Sequence, residues 1–324
     1  MKIDAIATQS HFADHLAPVW LALPPEARGT LFIRDHAHPG LPNAFHAQPT
    51  RSANPTLTAS AGDLALARRL GRPGAIMEHG CGQSFGGGRK GSQHSSYAGG
   101  TGRDAQLFLH PGPHPAARDR AVHPDARIEI VGCPKLDTLP RKPERSKPPV
   151  VAVSFHWNCR VCPETQWALA DKEFQRAVAD MAKSREWTLI GHGHPRARSA
   201  LERWFARQKV EFVPTFDEVC RRADVYVNDA SSTLFEFAST GRPVVVMNTS
   251  FYRRNVNHGL RFWEAASVGV QVGPKDDMLA AVRRALADPP AQQAARERAL
   301  DLVYAYRTGA AERAAAVLVD WAGA

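Results

Sequence analysis

The stretch from Ala223 to Asn248 constrains the fold most, because it has the pattern of a complete strand–turn–helix–strand unit. Val225 to Val227 predict a short buried strand, and Thr233 to Ser239 predict a helix that Gly241 ends. Pro243 to Met247 predict the next strand. Two strands joined through a helix run parallel with a right-handed crossover. The unit therefore predicts an α/β fold with a mostly parallel sheet.

The turn at the end of the first of these strands, counted through Thr233, carries one carboxylate and three hydroxyls: Asp229, Ser231, Ser232 and Thr233. Ligands of doubly wound sheets bind at the carboxyl ends of strands, and helix amino termini favour phosphate. We interpret this turn as the binding site for the diphosphate of a nucleotide. A structural alternative stays open, because Thr233 as N-cap and Glu236 at the third helical position fit a capping box, which needs no ligand.

Composition places the chain among ordinary globular proteins. Its 324 residues suit two domains of about 150 each. The net charge of +9 is spread evenly, with 17 basic and 12 acidic side chains up to Ser146 and 24 against 20 after it. A diffuse positive balance suits phosphates, polyanionic polymers or an anionic membrane surface. We find no nucleic-acid recognition motif and expect no nucleic acid as partner.

The amino terminus and the cysteines predict a cytoplasmic location. The segment MKIDAIATQSHF lacks the basic region and apolar run of a signal peptide. No apolar stretch approaches the ~20 residues that span a bilayer. Five cysteines form an odd, sparse set, which fits a reducing compartment.

Short apolar runs alternate with helical patterns along both halves of the chain. In the first half they predict six strands: Lys2–Thr8, Thr30–Ile33, Thr56–Ala59, Pro73–Glu78, Ala105–Leu109 and Arg127–Val131. In the second half they predict six more: Val150–Ser154, Trp187–Ile190, Val210–Val213, Val225–Val227, Pro243–Met247 and Val268–Val272. This alternation predicts βα units with a mostly parallel sheet in the first half and a Rossmann-like domain in the second half.

The proline-rich, charged segment PRKPERSKPP at residues 140–149 predicts the linker between the domains. We therefore divide the chain into an N-terminal domain, residues 1–146, and a C-terminal domain, residues 147–324. The C-terminal domain ends in alanine-rich helices, which we expect to be broken near Gly309.

A glycine-rich loop from His79 to Gly91 follows the predicted strand that ends at Glu78. Glycine lets the backbone approach a ligand, and Arg89 and Lys90 supply positive charge. A solvated surface loop is the alternative. His79 stands at the strand end itself, where it is a candidate for catalysis or for a purely structural role.

In the second half, the strand that begins at Trp187 leads into Gly191-His192-Gly193-His194-Pro195. His194 is a candidate functional residue. The alternative is that its side chain only hydrogen-bonds to the backbone at a polar strand end, and His192 fits this structural role better. Arg253 and Arg254 follow the strand that ends at Met247 and are candidates either for closing over a donor or for a solvated loop.

The pair Cys159-x-x-Cys162, with His156 nearby, invites a metal interpretation. A structural zinc site needs four ligands, usually two such pairs, and the sequence offers one. A redox pair is equally unfavoured, because the motif follows a strand without the expected helix. We expect no metal here.

Three motifs in this order resemble those of the CDP-glycerol glycerophosphotransferases of teichoic acid and capsule polymer synthesis. They are HG before a loop (His79-Gly80), HP after a strand (His194-Pro195) and D-x-S-S-x-x-F-[DE]-F (Asp229 to Phe237). The turn GCPKLD at residues 132–137 resembles the family's GYPRND, and the resemblance covers residues 75 to 250 in patches. Cys81-Gly82 replaces the usual Thr-Pro, and Ala230 the common Tyr, which leaves the donor open between glycerol, another polyol phosphate and a sugar.

The resemblance implies two Rossmann-like domains in the GT-B arrangement with a cleft between them. It implies a transferase, without cofactor, that moves a glycerol phosphate or other polyol phosphate from a CDP-linked donor to a hydroxyl of a polymer or lipid-linked acceptor. His79 would take the acceptor's proton, and His194 would donate a hydrogen bond or a charge to a donor phosphate oxygen. Donor-binding residues would be Asp229, Ser231, Ser232, Thr233, Glu236 and Pro195. Acceptor or phosphate contacts would be Gly80, Arg89, Lys90, Arg253 and Arg254.

Two rival functions remain. A GT-B sugar-nucleotide glycosyltransferase or epimerase binds the same kind of nucleotide diphosphate, and a non-catalytic protein of this fold would bind it without turnover. Attachment at the inner membrane face is also open. The carboxyl-terminal helix could lie on a lipid surface or pack back across the cleft, and it carries these arginines: Arg296, Arg298, Arg307 and Arg313.

Overall fold

The structure is a computed structural model that describes residues 1–33, 44–45, 48–81, 105–140, 144–158, 168–229, 231–249 and 267–323. Of the candidate site residues and the cysteine pair named above, six residues lie outside the described ranges: Arg89, Lys90, Cys159, Cys162, Arg253 and Arg254. The chain forms two compact units, one of Met1–Thr138 with Leu302–Ala324 and one of Leu139–Asp301. No helix in the described ranges combines the length and the apolar character needed to cross a bilayer.

The first unit is built on a seven-stranded parallel sheet with the order β3-β2-β1-β4-β5-β6-β7. Its strands are β1 Ile3–Ala7, β2 Arg28–Ile33, β3 Ala44–Phe45, β4 Thr56–Thr58, β5 Gly74–Met77, β6 Ala105–His110 and β7 Arg127–Ile130. Its helices are α1 Ser10–Ala22, α2 Ala61–Arg69, α3 Pro113–Val122 and α10 Ala310–Gly323. All six predicted strands are confirmed, while β3 and α3 were not predicted.

The second unit is built on a six-stranded parallel sheet with the order β10-β9-β8-β11-β12-β13. Its strands are β8 Val150–Phe155, β9 Thr188–Gly193, β10 Glu211–Phe212, β11 Val225–Asn228, β12 Val244–Met247 and β13 Val270–Val272. Its helices are α4 Lys172–Lys183, α5 Arg198–Arg207, α6 Phe216–Arg222, α7 Thr233–Ala238, α8 Met278–Ala287 and α9 Pro290–Val303, the last of which continues into the first unit. The six predicted strands are confirmed. The strand order reverses between β8 and β11, as in Rossmann folds.

Glycines shape β9, the strand that leads to His194. A Cβ on Gly191 would lie 2.5 Å from Cγ of Phe205, and one on Gly193 would collide with Leu201. Both glycines therefore let α5, which carries Leu201 and Phe205, pack directly on the strand. The alternation of side chains along a strand sends His192 to the other face.

The observed units differ from the predicted division at 146. Helix α10 belongs to the first unit, where Ala314, Ala315 and Leu318 are buried in the same apolar core as α1. Gly309, with a φ of 65°, separates α9 from α10, as predicted. The structure shows α10 packed on the core of the first unit, and the lipid role stays a prediction. The reason for this packing is that alanines at helical spacing give α10 a flat apolar face.

Candidate active site

The carboxyl ends of β9, β8 and β11 lie side by side at one edge of the second unit's sheet, with β8 in the middle. His194 follows β9, His156 follows β8, and Asp229 and Ser231 follow β11. The crevice outside the point of strand-order reversal is where doubly wound sheets bind ligands. The predicted donor residues of the second unit therefore gather at the end of the sheet that favours a ligand.

The imidazole of His194 is half-buried and held by its own turn. Its Nδ1 accepts a hydrogen bond from the backbone N–H of Arg196 at 3.2 Å, and Pro195 begins the 3₁₀ turn between them. A ring nitrogen that accepts carries no proton, so the proton of the neutral ring lies on Nε2. His194 is thereby set as a hydrogen-bond donor through Nε2, which fits the predicted contact to a phosphate oxygen.

The hydroxyl-rich turn before α7 is partly exposed at Ser231, Ser232 and Thr233. The Ser231 hydroxyl accepts from the backbone N–H of Thr233 at 3.3 Å. The Thr233 hydroxyl lies 2.9 Å from the hydroxyl of Tyr226, whose pKa is raised by burial. Thr233 is thus tied to the sheet, and the serine hydroxyls are better placed for a ligand. Helix α7 has only six residues, so its dipole contributes less than the hydroxyls.

The capping-box alternative is wrong. Ser232, not Thr233, occupies the N-cap position, and it makes no side-chain cap hydrogen bond. The Thr233 hydroxyl is instead engaged with Tyr226. Glu236 is fully buried, so it does not present its carboxylate to a donor at the protein surface.

The buried carboxylate of Asp229 binds main-chain groups of the protein itself. It is 1% exposed, and its two oxygens accept the backbone N–H groups of His156 and Ala168, both at 2.8 Å. Hydrogen bonds to a charged acceptor are among the stronger ones in proteins. Asp229 therefore fixes the end of β8 and the chain at Ala168, rather than reaching outward to a donor as the sequence predicted.

His156 is a residue that the sequence interpretation passed over except as a neighbour of the cysteine pair. Its ring centroid lies 5.1 Å from that of His194 at an interplanar angle of 70°. Its Nδ1 lies 2.8 Å from the carbonyl of Trp157, and the guanidinium of Arg196 lies 4.8 Å from the Trp157 ring. The position directly after a central strand of the sheet was the signal that could have selected it.

In the first unit, His79 lies at the end of β5 and is half-buried. Its Nδ1 lies 2.5 Å from the carbonyl oxygen of Ala59, at the end of β4, so Nδ1 carries the proton and donates it. The Nε2 of the neutral ring is then the nitrogen that accepts a proton, as a general base must. Gly80 follows with a φ of 101°, a conformation that favours glycine and turns the chain at the strand end.

Basic groups surround His79. The rings of His11 and His15 lie 6.3 and 6.1 Å from it, centroid to centroid, and the ring of Phe12 packs at 4.6 Å. Burial lowers the pKa of His15 well below its usual value, and the charges of Lys135, His79 and His11 lower it further. His15 is therefore neutral at neutral pH.

Glu78, the residue directly before His79, belongs to a buried network of charged side chains. His110, at the end of β6, lies 3.5 Å from a Glu78 oxygen through Nδ1 and 3.0 Å from an Asp119 oxygen through Nε2. Burial alone lowers the pKa of His110, but the two carboxylates outweigh burial and raise it to about 9. The ring is thus an imidazolium that ties the ends of β5 and β6 to α3.

His192 has the structural role that the sequence favoured. It is buried, and its Nδ1–H donates to the carbonyl of Val213 at 2.8 Å. Within the described ranges, no group of three or more His, Cys, Asp or Glu side chains is placed to hold a metal ion.

Comparison with known proteins agrees with the motifs. Residues 168–319 match the family described as CDP-Glycerol:Poly(glycerophosphate) glycerophosphotransferase. The resemblance stated from the motifs, and the assignment as a transferase of this type, are therefore confirmed. No curated protein matches the chain.

Solved structures share the fold over nearly the whole chain. A structure of the wall teichoic acid polymerase TagF soaked with CDPG is 12% identical, with a TM-score of 0.66 over 99% of this chain and 89% of that one. S. aureus MnaA with UDP is 12% identical, with a TM-score of 0.63 over 98% and 95% of the two chains. UDP-GlcNAc 2-epimerase from Neisseria meningitidis with UDP-GlcNAc is 14% identical, with a TM-score of 0.58 over 99% of each. These likenesses confirm the predicted fold class of two Rossmann-like units of GT-B type. The predicted cleft stays a prediction.

Proposed function

We propose that the protein transfers glycerol phosphate, or another polyol phosphate, from a CDP-linked donor to a hydroxyl of a cell-envelope polymer or lipid-linked acceptor. The observation that carries the proposal is the arrangement at the end of the second sheet. There His194, set to donate through Nε2, and the hydroxyls of Ser231 and Ser232 follow strands on either side of β8. These residues lie within the part of the chain that matches the glycerophosphotransferase family.

On the donor side, Ser231 and Ser232 hold the diphosphate through their hydroxyls. His194 donates its Nε2–H to an oxygen of the phosphate that leaves as CMP. Negative charge grows on that oxygen as the bond to the transferred phosphorus breaks, and fixed donors aimed at growing charge are usually the largest catalytic contribution. Pro195 holds the turn that orients His194, while Asp229 and Glu236 act from inside the fold.

On the acceptor side, the proposed base is His79. Its Nε2 takes the proton of the acceptor hydroxyl while that oxygen forms a new bond to the phosphorus and CMP departs with the bonding electrons. The hydrogen bond to Ala59 keeps the proton of the neutral ring on Nδ1, so Nε2 is the unprotonated nitrogen. General-base catalysis of this kind is typically worth about 10² to 10⁴ in rate.

The proposal also covers the acceptor contacts and the location of the protein. Gly80, Arg89, Lys90, Arg253 and Arg254 are proposed to contact the acceptor or the phosphates. An anionic polymer of the teichoic acid or capsule type suits the net charge of +9. The proposed location is the cytoplasm, with peripheral attachment at the inner membrane face.

The test is incubation of the purified protein with CDP-glycerol, CDP-ribitol and UDP-sugars, followed by identification of the released nucleotide. Release of CMP from a CDP-polyol is the expected result, because phosphoryl transfer breaks the bond between the two phosphates. Release of CDP or UDP means glycosyl transfer, and UDP-sugar converted without nucleotide loss means an epimerase. Nucleotide binding without any turnover, across the donor panel and with polymer acceptors present, means a non-catalytic protein.

A further inference from the structure

The strand order of the first unit's sheet reverses between β1 and β4. The helices that follow these two strands pack differently: α1 lies in the main core of the unit, and Leu64 of α2 lies in a separate apolar cluster. Doubly wound sheets bind ligands in the crevice at such a reversal. His79 lies at this point, because its Nδ1–H donates to the carbonyl of Ala59, the residue directly after β4. The proposed base is therefore placed where the first unit's sheet favours a ligand.

His15 lies beside His79 at the same place. It belongs to α1, the helix after β1, and it follows His11 by four residues, so both imidazoles lie on one helix face. The centroid of the His15 ring lies 6.1 Å from that of His79, at an interplanar angle of 68°. Only 6% of His15 is exposed. Within the described ranges, the His15 ring makes no hydrogen bond.

A buried imidazole without a hydrogen bond destabilises a fold, and most buried polar groups in proteins are paired. A ligand that supplies the missing partner explains why such a ring is retained beside the proposed base. The protonation state of His15 narrows the kind of ligand. Burial and the charges of Lys135, His79 and His11 lower its pKa, so the ring is neutral. A neutral imidazole offers one donor and one acceptor, and a hydroxyl group uses both, whereas a phosphate oxygen only accepts.

The surroundings of the two rings also suit an anion. Lys135, in the turn after β7, and His11 both act on His15 as positive charges. The first turn of α1 carries no acidic side chain, and a helix amino terminus favours negative charge. A phosphate near these groups is therefore stabilised, while His15 itself matches a hydroxyl. A polyol phosphate carries both kinds of group.

The distance between the rings fits a pair of hydroxyls on neighbouring carbons. A hydroxyl oxygen that is hydrogen-bonded to a ring nitrogen lies about 4 Å from the centroid of that ring. The two oxygens of a vicinal diol lie about 3 Å apart, within hydrogen-bond distance of each other. Rings with centroids 6.1 Å apart can therefore each bind one hydroxyl of such a pair.

We propose that His15 is an acceptor-binding residue, which hydrogen-bonds to the hydroxyl next to the one that His79 deprotonates, at the end of an anionic polyol phosphate chain. The inference rests on the proposed function. His15 takes no proton from the acceptor and forms no covalent bond. It orients the diol so that the attacking hydroxyl faces the Nε2 of His79, and an acceptor end that lacks the neighbouring hydroxyl loses this contact.

The test compares two synthetic oligo(glycerol phosphate) acceptors that carry a fluorophore at the far end. One ends in intact glycerol, and the other ends in a deoxy unit without the neighbouring hydroxyl. His15→Phe keeps an aromatic ring and removes both nitrogens, while His15→Gln keeps a donor and an acceptor. His123→Phe is the matched control, because His123 is also 6% exposed and stacks on Phe108 at 4.8 Å, but it precedes β7 at the opposite end of the sheet.

The measurements are the Kd of each oligomer by fluorescence polarisation, CMP release from CDP-glycerol and the melting temperature. We expect the wild type to bind the intact end about 5- to 10-fold more tightly than the deoxy end, the effect of one hydrogen bond. His15→Phe should lose this preference with the KM for CDP-glycerol unchanged. It should melt no lower than the wild type, because it removes an unsatisfied buried ring. His15→Gln should recover part of the preference, and His123→Phe should keep all of it.

A wild type that binds the two oligomers equally overturns the inference, and so does a His15→Phe protein that keeps the preference. An equal loss of preference in His123→Phe overturns it as well. If His15→Phe fails to fold, His15→Leu decides by the same comparison.

The two proposals fail in different ways. A wild type that prefers the intact end but releases no CMP refutes the proposed function and supports the binding role of His15. A wild type that releases CMP without distinguishing the two ends refutes the role of His15 alone. A wild type that binds neither oligomer also refutes that role, and CMP release then judges the proposed function separately.

Discussion

Replacing Asp229 by Asn should cost both stability and turnover. The carboxylate accepts two buried backbone N–H groups, those of His156 and Ala168. An amide side chain keeps one acceptor oxygen but turns an NH₂ group towards the second N–H. One charge-assisted hydrogen bond is lost and one buried N–H has no acceptor, at a cost of about 2–4 kcal/mol in the free energy of unfolding. Domains are typically stable by about 5–15 kcal/mol, so Asp229→Asn should still fold.

The effect on turnover follows from what Asp229 holds. It fixes the end of β8, from which His156 projects beside His194. A displacement of about 1 Å in a catalytic constellation costs roughly 10²-fold in rate. We therefore expect Asp229→Asn to lower kcat for CDP-glycerol by about that factor, and urea unfolding followed by tryptophan fluorescence to show the loss of stability.

Asp224 provides a matched control at the other end of β11. It is 4% exposed and accepts the backbone N–H of Val150 at 2.8 Å and that of Ser146 at 3.2 Å. Asp224→Asn should lose a similar part of the free energy of unfolding and keep its kcat. The reasoning is refuted if Asp229→Asn leaves the unfolding free energy unchanged, or if the two variants lose turnover equally.

Three further predictions concern single groups. Because the pKa of His110 is about 9 in the folded protein and about 6.5 when unfolded, its contribution to stability is full below pH 6.5 and is lost as the pH rises through 9. His110→Gln should remove this pH dependence, and equal urea midpoints for the wild type at pH 6 and pH 9.5 would contradict it. His79→Ala should lose about 10²- to 10⁴-fold in kcat with the Kd for CDP-glycerol unchanged, and an undiminished rate removes His79 from catalysis. Ser232→Ala should weaken CDP-glycerol binding by about 3- to 10-fold with little change in kcat. A calorimetric Kd equal to that of the wild type would contradict the role of Ser232 in binding the diphosphate.

The strands were predictable because buried parallel strands leave a signal within a few consecutive residues. Runs such as Val150 to Ser154 and Pro243 to Met247 are short, β-branched and bounded by polar or turn residues. Helix α3 was missed because Pro113–Val122 is mostly proline, arginine and alanine and shows no apolar stripe. The assignment of α10 to the first unit was missed because the spacing of alanines in a helix shows which face is buried, but it does not show which unit's core that face packs against.

The candidate site shows where local patterns stop being informative. Thr233 and Glu236 have the spacing of a capping box, but the Thr233 hydroxyl is engaged by Tyr226 in the neighbouring strand, a tertiary contact that spacing does not encode. Asp229 lies in the predicted turn but binds main-chain groups of residues 61 and 73 positions away. His156 became visible only once the strand order placed β8 between β9 and β11.

The most direct test of the central claim is ³¹P NMR of CDP-glycerol incubated with the protein and a glycerol phosphate polymer acceptor. Transfer of glycerol phosphate predicts that the diphosphate signals disappear while equal amounts of CMP and of a new phosphodiester form. It also predicts that His79→Ala and His194→Ala slow both products together. Formation of CDP, or an unchanged donor spectrum with an active acceptor present, would contradict the account.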